Sequence, residues 1–242
     1  MATLLWESFV ILLGGFIQGI TGFGFAMIAL PALAFFLPLT TVVPLLVLFG
    51  LVTNLFILWE THQWIRLSEI RVITFFGLVG IPFGVAALRL LNPSLLKVAI
   101  GLLVTVTAIA MAYGFKMTFR HRIFSSGITG FLSGFLNGSI SMSGPPIVLF
   151  LTNEDSPKVE FRANLTLYGA VTNIVTIVSF VFSGMMESNV LRQFGILLPS
   201  LVIGMVLGMF ATRKIAEDLF RKIVLALLAI TGIVTVALTL RG

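Results

Sequence analysis

The sequence predicts an all-α integral membrane protein of two homologous, inverted repeats, each a broken or re-entrant helix hairpin plus three transmembrane helices. Three observations predict it: an apolar composition, two apolar stretches too long for one straight crossing, and an internal repetition. Of 242 residues, 58% are hydrophobic and 10% charged, with a mean hydropathy of +1.14. Water-soluble domains run nearer about 45–50% apolar and about 25% charged. Too little polar surface exists to cover a core in water, which excludes a soluble enzyme, a disordered tail and a nucleic-acid-binding module. Apolar residues run continuously, as in 98–111 and 223–240, without the alternation that a lipid-facing barrel strand needs. At about 20 residues per crossing, the length allows roughly eight crossings with short loops.

Eight apolar stretches follow in order: 5–37, 41–59, 72–91, 95–115, 123–152, 163–182, 191–212 and 219–240. Six have ordinary crossing length. The first and fifth do not, since about 30 residues of helix reach roughly 45 Å through a core of about 30 Å. Each carries a helix-breaking centre. In the first it is Gly19-Ile20-Thr21-Gly22-Phe23-Gly24; in the fifth it is Asn137-Gly138-Ser139-Ile140-Ser141-Met142-Ser143-Gly144-Pro145-Pro146. Lipid does not tolerate irregular backbone, so both breaks belong inside protein or beside a wet cavity. The amino terminus lacks the basic segment of a signal peptide, so the first apolar run is expected to stay in the mature protein.

Matches recur in order along the chain. At an offset of 115, Gly15, Gly19 and Pro31 meet Gly130, Gly134 and Pro146. At 119, Val52-Thr53-Asn54 meets Val171-Thr172-Asn173. At 124, Gly80 and Gly84 meet Gly204 and Gly208, and Arg89 meets Arg213. The expected organisation is a first repeat over 1–115, a cytoplasmic linker over 116–122 and a second repeat over 123–242. Duplicated halves with broken helices are typical of transporters. Charge distinguishes the topologies. If each long stretch enters and leaves on one side, Arg89, Lys97, Arg192 and Arg241 fall on one side, and the other eleven of the 15 Lys+Arg on the opposite one. The basic side is then cytoplasmic, the halves are inverted and both termini lie outside. The net charge of +6 fits loops that meet anionic lipid.

The breaks are the expected site. A half-helix starting inside the protein exposes backbone N–H groups and the positive end of its dipole, which together bind anions. Glycine permits close backbone approach and positive φ. Gln18, Gly19, Thr21, Gly22 and Gly24 form one part, and Asn137, Gly138, Ser139, Ser141 and Ser143 the other. Asn54 and Asn173 sit midway along apolar helices, where a buried amide needs a partner; each is a candidate ligand donor or a clamp on its hairpin. Arg162, with Asn164, opens the sixth crossing at the cytoplasmic mouth, as an anion collector or a snorkelling anchor. Gly15, Gly19, Gly80, Gly84, Gly204 and Gly208 also suit close helix packing. Glu154, Asp155 and Glu160 read as a solvated loop, and Arg89 and Arg213 as anchors.

No Asp, Glu, Lys or His lies clearly inside a crossing, so bound charge would meet neutral dipoles and no proton relay is expected. An inside-negative potential drives anions outward by about 2.3 kcal/mol per charge per 100 mV. An intramembrane enzyme is the rival from another class, but Ser143 has no activating His, Asp or Lys beside it in sequence. A structural membrane protein is a further rival, as is a channel or carrier for another small anion. Cysteine is absent and the two histidines are isolated, so neither metal nor cofactor is expected.

The run Gly15-Phe16-Ile17-Gln18-Gly19-Ile20-Thr21-Gly22-Phe23-Gly24, followed by Pro31, resembles the first signature of the TauE/SafE sulfite exporter family, also called TSUP or DUF81. Gly130-Phe131-Leu132-Ser133-Gly134 through Pro146 matches the second signature more loosely, with Asn137 and Ser139 where many members carry glycine. The resemblance covers essentially the whole chain. It implies export of sulfite or a small organosulfur anion such as sulfoacetate across a bacterial inner membrane. The mechanism expected from the duplicated halves is alternating access, the two rocking around a central cavity. The partners implied are that anion and the lipid bilayer, with no nucleic acid. The residues of the two breaks are carried over as the two parts of the substrate site.

Overall fold

The computed structural model describes residues 2–34, 36–92, 122–152 and 157–216, with a few positions from 219 to 226. The expected crossings 95–115 and 219–240 lie largely outside the described residues, as does the linker 116–122 apart from Arg122. The described chain is helical: α1 (Ala2–Thr21), α2 (Phe25–Leu33), α3 (Leu39–Thr61), α4 (Leu67–Leu90), α5 (Arg122–Ile140), α6 (Gly144–Thr152), α7 (Lys158–Phe182) and α8 (Ser188–Lys214). A 3₁₀ turn, His62–Trp64, joins α3 to α4. Among the described residues, five spans are long and apolar enough to cross a membrane: Thr3–Thr21, Leu39–Trp64, Leu67–Leu90, Lys158–Phe182 and Ser188–Lys214.

Both long apolar stretches break where the sequence loses helix-forming side chains. Gly22 and Gly24 adopt φ of 84° and 95°, and Ser141 adopts 59°. Gly22 ends α1, Gly24 caps the start of α2 and Ser141 ends α5, since a left-handed residue cannot continue a right-handed helix and only isolated residues tolerate that conformation. The closures match: Gly22 N donates to Gln18 O at 2.7 Å, and Ser141 N to Asn137 O at 2.9 Å. The second break thus takes its positive φ at a serine, and Gly138 stays helical.

Glycines set the helix pairs. α1 lies along α8: a methyl on Gly15 would stand 2.9 Å from Leu201 O, and one on Gly19 would stand 2.5 Å from Met205 O. Gly204 and Gly208 return the contact against the Leu12 and Phe16 carbonyls. α5 lies along α4 in the same manner, Gly130, Gly134 and Gly138 facing the Ile73, Gly77 and Ile81 carbonyls, and Gly80 and Gly84 facing Phe131 and Phe135. In both pairs the residue numbers rise together, so the partners run parallel. Small residues allow this backbone approach, which drives association where lipid removes the hydrophobic term.

The glycine contacts recur at an offset of 119, which corrects the 115 read from the sequence at this point. Gly15 occupies the place of Gly134, and Gly19 that of Gly138. The two readings differ by four residues, about one helical turn, so a slip of that size leaves the same face forward. At 119, α2 coincides with α6 and the first residue of α3 with the first of α7.

Charged residues gather at one end. Arg66 pairs with Glu160 at 2.7 Å and Arg213 with Glu60 at 3.0 Å. Lys158 Nζ donates to Thr212 O at 2.9 Å and Ile215 O at 2.7 Å, capping the negative end of α8. Asn164 accepts from Arg66 N at 2.8 Å and donates to Glu69 at 2.9 Å. This end collects the C-termini of α3 and α8 and the N-termini of α4 and α7. Two expectations are corrected here. Glu160 is not in a solvated loop but buried in α7, and Glu7 lies within the first span at 9% exposure. Glu154 and Asp155 lie outside the described residues.

Candidate functional site

The two breaks meet. Phe23, in the first, packs 3.3 Å from where a methyl on Gly144, in the second, would stand. Beside them lies a cavity of about 50 Å³, where one water needs roughly 10–15 Å³ on the same measure. It has room for a few waters or one small anion.

Eight of the predicted site residues line it. Gln18, Gly22, Gly24 and Asn54 come from the first half of the chain, and Asn137, Ser141, Ser143 and Asn173 from the second. Gln18 Nε2 donates to Thr53 Oγ1 at 2.6 Å and to Asn54 Oδ1 at 3.1 Å. Asn137 Nδ2 donates to Thr176 Oγ1 at 2.9 Å and to Asn173 Oδ1 at 3.0 Å. Each donation occupies the oxygen of an asparagine amide and fixes which way it faces. The nitrogens of Asn54 and Asn173 then remain: neither donates to any partner among the described residues, although the side chains are 5% and 4% exposed. Two buried amides therefore offer N–H groups at the cavity.

Those nitrogens are seated crosswise. Asn173 Nδ2 lies 2.8 Å from where a methyl on Gly50 would stand, and Asn54 Nδ2 abuts Gly169 in the same way. Gly50 and Gly169, both lining the cavity, are site residues that the sequence reading missed, as are the acceptors Thr53 and Thr176. The signal was present: a Gly four residues before each Asn, at the shared offset of 119.

Backbone adds donors. Gly24, Phe25, Ala26 and Met27 at the start of α2 line the cavity, and no side chain caps that N-terminus. Its first N–H groups have no intrahelical partner. α6 starts Gly144-Pro145-Pro146, so two of its first N–H groups do not exist. The two half-helices are thus unequal donors.

Five predicted residues stand off the cavity. Gly19 and Gly138 serve the helix contacts already described. Thr21 Oγ1 sits 2.9 Å from Ile17 O and 2.6 Å from Phe23 O, bracing the first break. Ser139 Oγ donates to Phe135 O at 2.8 Å, within its own helix. Arg162 is neither at an open mouth nor snorkelling: it is 3% exposed and donates to Gly19 O at 2.8 Å. With Thr212 Oγ1, which donates to Ile20 O at 3.0 Å, it satisfies orphan carbonyls at the interior end of α1. No cluster that could hold a metal ion occurs among the described residues.

Comparison with known families matches "Sulfite exporter TauE/SafE" over residues 8–235. The chain belongs to this family. Its members are transporters, not enzymes, and this chain is a multi-pass membrane transporter of the TauE/SafE family. Among its relatives is the "Probable sulfite/organosulfonate exporter TauE" of Cupriavidus necator, 26% identical over 201 residues, 81% of this chain and 78% of that protein. No solved structure matches the chain. The family match spans both helix breaks and the helices that carry Asn54 and Asn173.

Proposed function

We propose that this TauE/SafE protein exports sulfite or a small organosulfonate across the bacterial inner membrane. The anion is held between the two breaks by half-helix N–H groups and neutral side chains. One observation carries the reading: two buried asparagine amides, each with its oxygen already engaged, turn unused N–H groups into a cavity where two broken helices meet. An anion supplies the acceptors those groups lack, and an unpaired buried amide otherwise costs about 1–3 kcal/mol. The relative's name supports sulfur oxyanions in particular.

Alternating access between two inverted halves, 1–115 and 123–242, is the mechanism proposed. Its support is directional. α4 leaves the charged end and α8 arrives at it, so α1, parallel to α8, opposes α5, parallel to α4. The segments 60–66, 158–162 and 212–215 meet at that end, as two re-entrant hairpins require. The ion pairs there tie α3 to α8 and the start of α4 to α7, and opening toward that side would part them.

Purified protein in liposomes, loaded with labelled sulfite, tests the reading. Efflux above empty liposomes, trans-stimulated by external sulfite and lost in Asn54→Ala/Asn173→Ala, is expected. Efflux without trans-stimulation would favour a channel, and no efflux of sulfite or any sulfonate would refute export.

A further inference from the structure

Resting on that reading, we infer that the site selects its substrate by charge and takes singly charged oxyanions, hydrogensulfite and monosulfonates, in preference to dianions such as sulfite itself or sulfate. The donors facing the cavity are neutral: the Asn54 and Asn173 amide nitrogens, 95% and 96% buried by their residue exposures of 5% and 4%, and the uncapped first turn of α2. No charged side chain lines the cavity among the described residues. The stretches 98–115 and 223–240 contain no charged residue to add one. Arg162, packed behind Gly22, is not in the lining: its Nη2 donates to Gly19 O, away from the cavity residues, while its Nε has no partner among the described residues.

Physical scaling then decides. The cost of taking an ion out of water grows with the square of its charge. Its attraction to fixed neutral dipoles grows only in proportion to that charge. A donor set sufficient for one charge falls behind for two, and α6 cannot make up the difference because Pro145 and Pro146 remove two of its N–H groups. The other half of the lining is apolar, with Phe23, Met27, Leu46, Met142 and Leu165, which suits a single charge spread over few oxygens.

The test is binding of defined probes to the full chain in detergent or nanodiscs, by calorimetry, across neutral pH. Methanesulfonate is the control: it has the tetrahedral shape of sulfate, one charge fewer and no proton to lose. The apparent affinity for total sulfite should fall about tenfold per pH unit once hydrogensulfite deprotonates, tracking the competent fraction. Methanesulfonate affinity should stay flat over the same range, and sulfate should bind at least tenfold more weakly than methanesulfonate. Sulfite affinity that holds or rises with pH, or sulfate binding equal to methanesulfonate, would overturn charge selection and leave sulfur-anion export standing. Binding of neither sulfite nor methanesulfonate at any pH would overturn both.

Discussion

At the scale of single residues, the proposed site depends on which end of an amide faces the cavity. Gln18 and Asn137 donate to the oxygens of Asn54 and Asn173, and that leaves the nitrogens forward. Removing one forward nitrogen by Asn54→Ala or Asn173→Ala should lower transport kcat/KM roughly 10- to 100-fold, the worth of a hydrogen bond to a charged group, about 1.5–3 kcal/mol. The thermal midpoint in detergent should move little. Unchanged transport kinetics in both variants would remove the amides from the site. Gly169→Ala displaces Asn54 without deleting it, because the new methyl meets its amide group. It should raise KM while leaving the amide present; an unaltered KM would mean that the seat is not needed. These partnerships were half legible. Asn54 and Asn173 stood out because an amide at membrane depth demands a partner. Gly50 and Gly169 did not, because a glycine that seats a side chain looks in sequence like one that packs a helix.

At the scale of elements, the glycine-faced pairs α1–α8 and α4–α5 carry the scaffold. A methyl at Gly134 would collide with the Gly77 carbonyl, and backbone on both sides gives little room to move. Gly134→Ala should destabilise by about 1–3 kcal/mol, as overpacking does. Gly195 in α8 has nothing within 4 Å of its added methyl. Gly195→Ala should be neutral or stabilising by up to about 1 kcal/mol, from helix propensity. Thermal unfolding of the pair in one detergent checks both, and equal midpoints would deny the packing role of Gly134. Arg162→Met leaves the Gly19 carbonyl at the end of α1 without its donor. A loss of about 1–3 kcal/mol is expected, read in the same assay. The element boundaries show what sequence does not reveal. α7 begins at Lys158, five residues before the apolar run, because Glu160 and Arg162 find partners at the N-cap of α4 and on α1. Those partners lie far away in the chain, Arg66 being 94 residues from Glu160, so local hydrophobicity placed the start of the crossing too late. The breaks themselves were legible, since glycine, serine and proline crowd them.

At the scale of the whole molecule, topology is open to a direct test. The chain has no cysteine, so a single introduced thiol reports its own side without background. Gln63, in the turn at the charged end, and Asn189, at the start of α8, are both exposed. In intact cells a membrane-impermeant maleimide should label Asn189→Cys, and label Gln63→Cys only after permeabilisation. The reverse pattern would invert the orientation drawn from charge. Labelling of both from one side would reject the proposed crossings of α4 and α8. That the chain is a helical membrane protein was readable from its composition and its unbroken apolar runs, because a chain this apolar has few ways to satisfy its backbone outside helices. The register between the halves was not, since a four-residue shift preserves the face of a helix, and only the contacts of Gly15 and Gly134 distinguish 119 from 115.

Each asparagine leans on a glycine from the opposite half: Asn173 on Gly50, Asn54 on Gly169. Ownership of the chamber is therefore shared, and severing the chain between the halves should leave two pieces that are each blind to substrate. Sensitivity should come back only when both pieces are made together and dock, so complementation by split fragments would display the mutual dependence that a single polypeptide conceals.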